Sequence, residues 1–177
     1  MAAVTVVMLL GLLDDRYHLG FQIRLVIQVL VCTGLVLGGV RLTLFMDYSL
    51  FTGALTVFWM VSLINAFNFL DNMDGLSGGV ATIAATLLAV VMIQAGDQPH
   101  WFVSGVLVVL AGAILGFLVH NWYPARIFMG DAGSCFLGLM LSVSTVLGTF
   151  HEPGMPKHAV IAPLCVLAVP LYDAVSV

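Results

Sequence analysis

Charge is what this chain has least of. Only 8% of its 177 residues are Asp, Glu, Lys or Arg, against about 25% in a soluble domain. A water-exposed globular fold cannot be built at that density. Basic residues number five, with no run among them, and the net charge is −4; binding to nucleic acid, which needs a basic patch, is excluded. Cysteine is scarce as well. Cys32, Cys135 and Cys165 each lie inside an apolar run and read as small core residues, not as a disulfide framework or a zinc site. Apolar and polar residues do not alternate, so a transmembrane β-barrel is excluded too. The first apolar run has no basic leader and no small-residue cleavage site, a poor fit to a signal peptide.

What remains is apolar residue, 62% of the chain, at a mean hydropathy of +1.14. It falls into seven runs: 1–13, 21–40, 50–67, 78–95, 101–120, 133–150 and 159–177. A spanning helix takes about 20 residues. The expected fold is all-α, a polytopic transmembrane helix bundle of about seven spans, with 1–177 as a single integral membrane domain. The first run is short for a span and the last runs to Val177. Both ends read as cut, so the chain is expected to be a piece of a longer membrane protein that does not turn over alone.

Polar residues inside so apolar a chain are costly and need a reason. The densest group is Asn65–Gly79, N-A-F-N-F-L-D-N-M-D-G-L-S-G-G. Asn65, Asn68 and Asp71 are three apart and share one face of a helix. Amides and carboxylates on one face can share a divalent cation or grip a nucleotide. Asp74-Gly75 then allows a turn. Helix capping explains an isolated Asn or Asp equally well, so the other clusters decide.

Two do so. Leu12-Leu13-Asp14-Asp15-Arg16 puts adjacent carboxylates at the end of a run, where they oppose the helix dipole and raise one another's pKa unless a cation is close. That pairing suits a base or a metal-phosphate site. Phe128-Met129-Gly130-Asp131-Ala132-Gly133-Ser134 offers a Gly-flanked carboxylate just before the next run. Glycine lets backbone approach a ligand, and the free N–H groups of a starting helix favour phosphate. Asp131 has the chemistry of a Mg²⁺ ligand, since that ion takes one or two carboxylates plus phosphate oxygens. With alternating spans, Asp14, Asp15, Asp71, Asp74 and Asp131 all fall on one side. That side also carries Arg16, Arg24 and Arg126, against Arg41 and Lys157 opposite. The positive-inside rule makes it the cytoplasmic side. His120 reads as interfacial, and His151 and His158 lie in a loop on the other side.

Together D-D-R at 14–16, N-A-F-N-F-L-D-N-M-D-G-L at 65–76 and F-M-G-D-A-G-S at 128–134 resemble the polyprenyl-phosphate N-acetylhexosamine-1-phosphate transferases, of glycosyltransferase family 4 type. Order and apolar spacing agree over nearly the whole chain. D-D-R and N-A-F-N lie closer to the N-acetylglucosamine-1-phosphate enzymes than to the phospho-N-acetylmuramoyl-pentapeptide transferases, which are the alternative. The resemblance implies Mg²⁺-dependent transfer of a sugar-1-phosphate from a UDP-sugar to undecaprenyl phosphate with release of UMP, Mn²⁺ being a substitute ion. It implies a bacterial inner membrane, a cytoplasmic active site, and a homodimer as the assembly to consider. It makes Asp14, Asp15 and Asp71 catalytic, gives Asn68, Asp74 and Arg24 to substrate, and gives Asp131 and Asn68 to the metal. Asn72 stands where the family usually has glycine, and Arg24 stands in for a common lysine. The resemblance also places a basic, histidine-bearing loop after the last run, and spans ahead of the first. An ion- or proton-coupled transporter is the rival from another class. Its acids would sit in mid-span; these sit at span ends, framed by glycine. A purely structural subunit would not need five aspartates on one side.

Overall fold

The computed structural model describes residues 2–42, 49–94, 100–149 and 161–176. These form eight helices: α1 (Ala2–Tyr17), α2 (Phe21–Leu37), α3 (Ser49–Leu70), α4 (Leu76–Gln94), α5 (Trp101–Asn121), α6 (Gly130–Thr149), α7 (Ile161–Val166) and α8 (Ala168–Ser176). No strand occurs among the described residues. The first six follow the first six apolar runs. The seventh run is broken in two. Pro170 has no N–H for the carbonyl of Val166, and the helix restarts past Leu167, whose N–H reaches the Pro163 carbonyl at 2.9 Å.

Among the described residues four helices, α3, α4, α5 and α6, are long and apolar enough to cross a membrane, where seven crossings were expected; α2 is apolar but shorter. At 1.5 Å per residue the 22 residues of α3 reach about 33 Å, just over a hydrocarbon core of about 30 Å. Helix α1 runs on past Leu13 and carries Asp14, Asp15 and Arg16 in its last turns.

Helices α3 and α6 form the centre. On one flank α1 and α2 pack against them, and on the other α4, itself backed by α5. One apolar cluster joins Leu63, Phe67, Leu88, Leu107 and Leu141 across α3–α6 with Leu167 of the α7–α8 junction. A second joins Val7, Cys32, Met60, Ile64 and Leu139 across α1, α2, α3 and α6. Polar pairs form at depth: Trp59 Nε1 donates to Thr145 Oγ1 at 3.0 Å between α3 and α6, and Thr56 Oγ1 donates to the Thr52 carbonyl at 2.6 Å. Such pairing is what hydrocarbon demands. Cys32 and Cys135 are buried, as expected; Cys165 is exposed, because α7 turns that face outward.

Candidate active site

Six helix ends meet at one pole of the bundle: the C-termini of α1, α3 and α5 and the N-termini of α2, α4 and α6. Arg24, in the first turns of α2, is the hub. Its Nη1 donates to Asp14 Oδ2 of α1 and, at 3.0 Å, to Asp131 Oδ2 of α6. Its Nη2 donates to Asn68 Oδ1 of α3 at 2.6 Å. Asn68 closes the ring, its Nδ2 reaching Asp131 Oδ1 at 2.6 Å and Ser134 Oγ at 3.1 Å. Residues from all three sequence motifs thus hold one guanidinium. Asp14 is 5% exposed; an acid buried at a helix C-terminus is tolerable only beside a cation.

Asp15 does a different job. Its Oδ1 accepts the Asp131 N–H at 2.9 Å and its Oδ2 the Ala132 N–H at 3.4 Å. It caps α6 from another helix, where a negative charge is favoured by free N–H groups and dipole alike. Gly130 makes this approach feasible. Its φ is +64°, and a Cβ there would lie 2.8 Å from Asp15 Oδ2. One turn earlier on α1, a Cβ on Gly11 would overlap the backbone of Ala132. Two bare backbones therefore set the spacing of α1 and α6.

Asp71 sits in the turn after α3, half-buried, and accepts a hydrogen bond from the Gly130 N–H. Burial pushes its carboxyl up to about 6, with the charges of Asp131 and Asp15 adding to the rise. Asp74 stands apart from the hub. Exposed at the surface, its Oδ2 accepts the Ala125 N–H at 3.0 Å, tying the α3–α4 turn to the α5–α6 loop. Of the other basic residues on this side, Arg16 lies over the Tyr17 ring at 5.8 Å, and Arg126 is exposed. Asn72 is exposed. Asp173 lies on α8. Asp47, Asp97, Glu152, His151, Lys157 and His158 fall outside the described residues.

Three residues of this pole were missed by sequence reasoning. Ser134 completes the ring about Asn68, and its place after Gly-Asp-Ala-Gly was the available signal. Asn121, 4% exposed, accepts the Gly75 N–H at 3.0 Å and donates to the Ile127 carbonyl at 2.9 Å; it anchors the loop that delivers Asp131. Gln28 is fully buried, and its Oε1 accepts from Asn65 Nδ2 at 2.7 Å. It lies one helical turn from Arg24, as Asn65 does from Asn68, so a second polar pair lies under the first. An amide four residues after Arg24 in an apolar run was its only mark.

The donor set suits Mg²⁺. Asp14, Asp131 and Asn68 present hard oxygens, and they already converge on a cationic group. Among the described residues no three His, Cys, Asp or Glu side chains form a cage of their own; Mg²⁺ does not require one, since it keeps waters and takes substrate phosphate.

Long apolar helices with their acids gathered at one pole make this chain an integral membrane protein. It belongs to glycosyl transferase family 4, whose model matches residues 1–149. A probable undecaprenyl-phosphate N-acetylglucosaminyl 1-phosphate transferase of Bacillus subtilis is 32% identical over 98% of this chain and 50% of its own length. The decaprenyl-phosphate N-acetylglucosaminephosphotransferase of Mycobacterium tuberculosis is 35% identical over 98% of the chain and 49% of its own. A phospho-N-acetylmuramoyl-pentapeptide-transferase of Chlamydia muridarum is 46% identical over 55% of the chain and 29% of its own. The chain spans about half the length of the first two.

Proposed function

We propose that this chain, as one membrane domain over residues 1–177, carries the catalytic pole of a transferase. That enzyme moves a sugar-1-phosphate from a UDP-sugar to undecaprenyl phosphate, at the cytoplasmic face of a bacterial inner membrane. N-acetylglucosamine-1-phosphate is the preferred group, as in the names of the Bacillus and Mycobacterium relatives; a homodimer belongs to the same reading. The observation that supports it best is the ring of Asp14, Arg24, Asn68 and Asp131, which joins three separate motifs at one membrane face.

The chemistry follows from charge. An oxygen of the lipid phosphate attacks the sugar-linked phosphorus, the phosphoanhydride bond breaks, and UMP leaves in line. Both partners are anions, so positioning and neutralisation dominate. Asp131 and Asn68 would hold Mg²⁺, whose charge would offset the repulsion between the two phosphates. Asp14, beside the metal, and Asp15, through the α6 N-terminus that it caps, would orient the lipid phosphate, and Arg24 would face the phosphates. Asp71, able to carry a proton near neutrality, is suited to the departing UMP. Asp74 would act on substrate through the two loops that it ties.

The test is UMP release from UDP-N-acetylglucosamine and undecaprenyl phosphate in detergent, by protein from the unabridged reading frame. Asp131→Asn should lower turnover by about 100-fold or more with expression unchanged. Near-normal turnover in that variant would sink the metal assignment. The identity to the Chlamydia relative keeps one second reading. Release of UMP only from UDP-N-acetylmuramoyl-pentapeptide would select it.

A further inference from the structure

Arg24 fills a point that three helices have prepared. Asp14 Oδ2 and Asp131 Oδ2 meet on the single atom Nη1, and Asn68 Oδ1 approaches the neighbouring Nη2. Two carboxylates and an amide oxygen, from α1, α6 and α3, therefore share one positive charge. Without it the two acids would repel across a half-buried pole. The same three oxygens are of the kind that Mg²⁺ or Mn²⁺ takes. An ion held by both acids would take the place that Nη1 now fills. Guanidinium and cation cannot both occupy that point.

We propose that Arg24 is an exchangeable counter-ion. It neutralises Asp14 and Asp131 while no divalent cation is bound. The cation takes its place, and the displaced guanidinium turns outward to meet a phosphate oxygen, for which its planar fork is suited. No helix has to move. Arg24 stands four residues into α2 beside exposed Phe21, Gln22 and Ile23, and its long side chain is already 18% exposed. The inference rests on the transferase reading only in what the phosphate belongs to.

Mn²⁺ binding to the purified chain in detergent, read by electron paramagnetic resonance without sugar nucleotide or lipid, tests the exchange. Arg24→Gln should bind Mn²⁺ about tenfold or more tightly, since a unit charge competing at contact distance is gone. Arg24→Lys should stay near the native affinity. In EDTA, Arg24→Gln should melt below the native chain, and Mn²⁺ should raise its Tm by more than it raises the native one. A merely structural arginine would give a loss that Mn²⁺ does not restore. If Arg24→Gln does not fold, the native chain still decides. Mn²⁺ should speed modification of Arg24 by phenylglyoxal, relative to exposed Arg16 and Arg126, as read by mass spectrometry. Weaker or unchanged Mn²⁺ affinity in Arg24→Gln overturns the exchange, as does slower modification with Mn²⁺, or no Mn²⁺ binding at all. None of these readouts depends on UMP release, so the two proposals fail separately.

Discussion

Asp71 is the acid whose surroundings favour its proton. Its carboxyl lies at about 6 instead of 3.8, so between those values the folded chain binds a proton that the unfolded chain has released. Stability therefore falls as pH rises through that window, and the full penalty applies above it. Asp71→Asn should stabilise the metal-free chain by about 1 kcal/mol at pH 7.5, after discounting for solvent screening. The gain should vanish near pH 4. Thermal unfolding in detergent at the two pH values measures this, and a gain at both would point to packing instead of charge. At this scale the sequence was legible where a polar residue interrupts hydrocarbon. Asp14, Asp15, Asn68 and Asp131 stood out because burying them needs a reason. Gln28 and Asn121 did not, because an uncharged amide costs less to bury and its partner is remote in the chain. Nor could spacing distinguish the part of Asp15, which caps α6, from that of Asp14, which faces Arg24.

Helix spacing at the pole is set by small residues. Gly11 lies against the Ala132 backbone, whereas Gly116 on α5 has nothing within 4 Å. Gly11→Val should push α1 from α6, weaken the Asp15 cap, and cost about 1–3 kcal/mol as an overpacked contact. Gly116→Ala should be neutral or slightly stabilising, since alanine is the better helix former. Thermal unfolding of the two variants compares them, and equal effects would mean that the α1–α6 contact does not set the pole. The helices were readable from the apolar runs, because hydrocarbon imposes a length on each span. Their ends were less so. The polarity of Asp14 ended the first run on paper, but the backbone continues helical to Tyr17, its charge answered by a neighbour that no local pattern reveals. Pro170 was visible in the last run, yet the division there into α7 and α8 depends on the missing N–H and on Leu167 packing into the core.

For the molecule as a whole, the exterior is as telling as the pole. Leu37, Leu50, Phe102, Val109 and Val119 are 73–89% exposed, an apolar surface that water would not tolerate and lipid or further helices would cover. Orientation then turns on which side the acids face. With Asp74→Cys and Asp97→Cys made in a Cys165→Ser background, an impermeant thiol reagent outside the cell should label position 97 and spare 74. The opposite pattern would reverse the topology. That Asp14, Asp15, Asp71, Asp74 and Asp131 share one side could be read from alternating runs; that Asp14 and Asp131 close on Arg24 could not, because the ring joins residues 107 apart in the chain. That distance has a consequence for biosynthesis. At about 5–20 residues per second, roughly 5–20 s separate the emergence of Arg24 from that of Asp131. Meanwhile the nascent membrane chain holds a one-to-one pair, Asp14 with Arg24, which is neutral and can enter the bilayer as a hairpin. The ring's second acid, Asp131, arrives on a helix that is itself being inserted, and the ring's excess negative charge appears only then. The order of synthesis thus leaves Asp14 and Arg24 paired one to one until α6 is made.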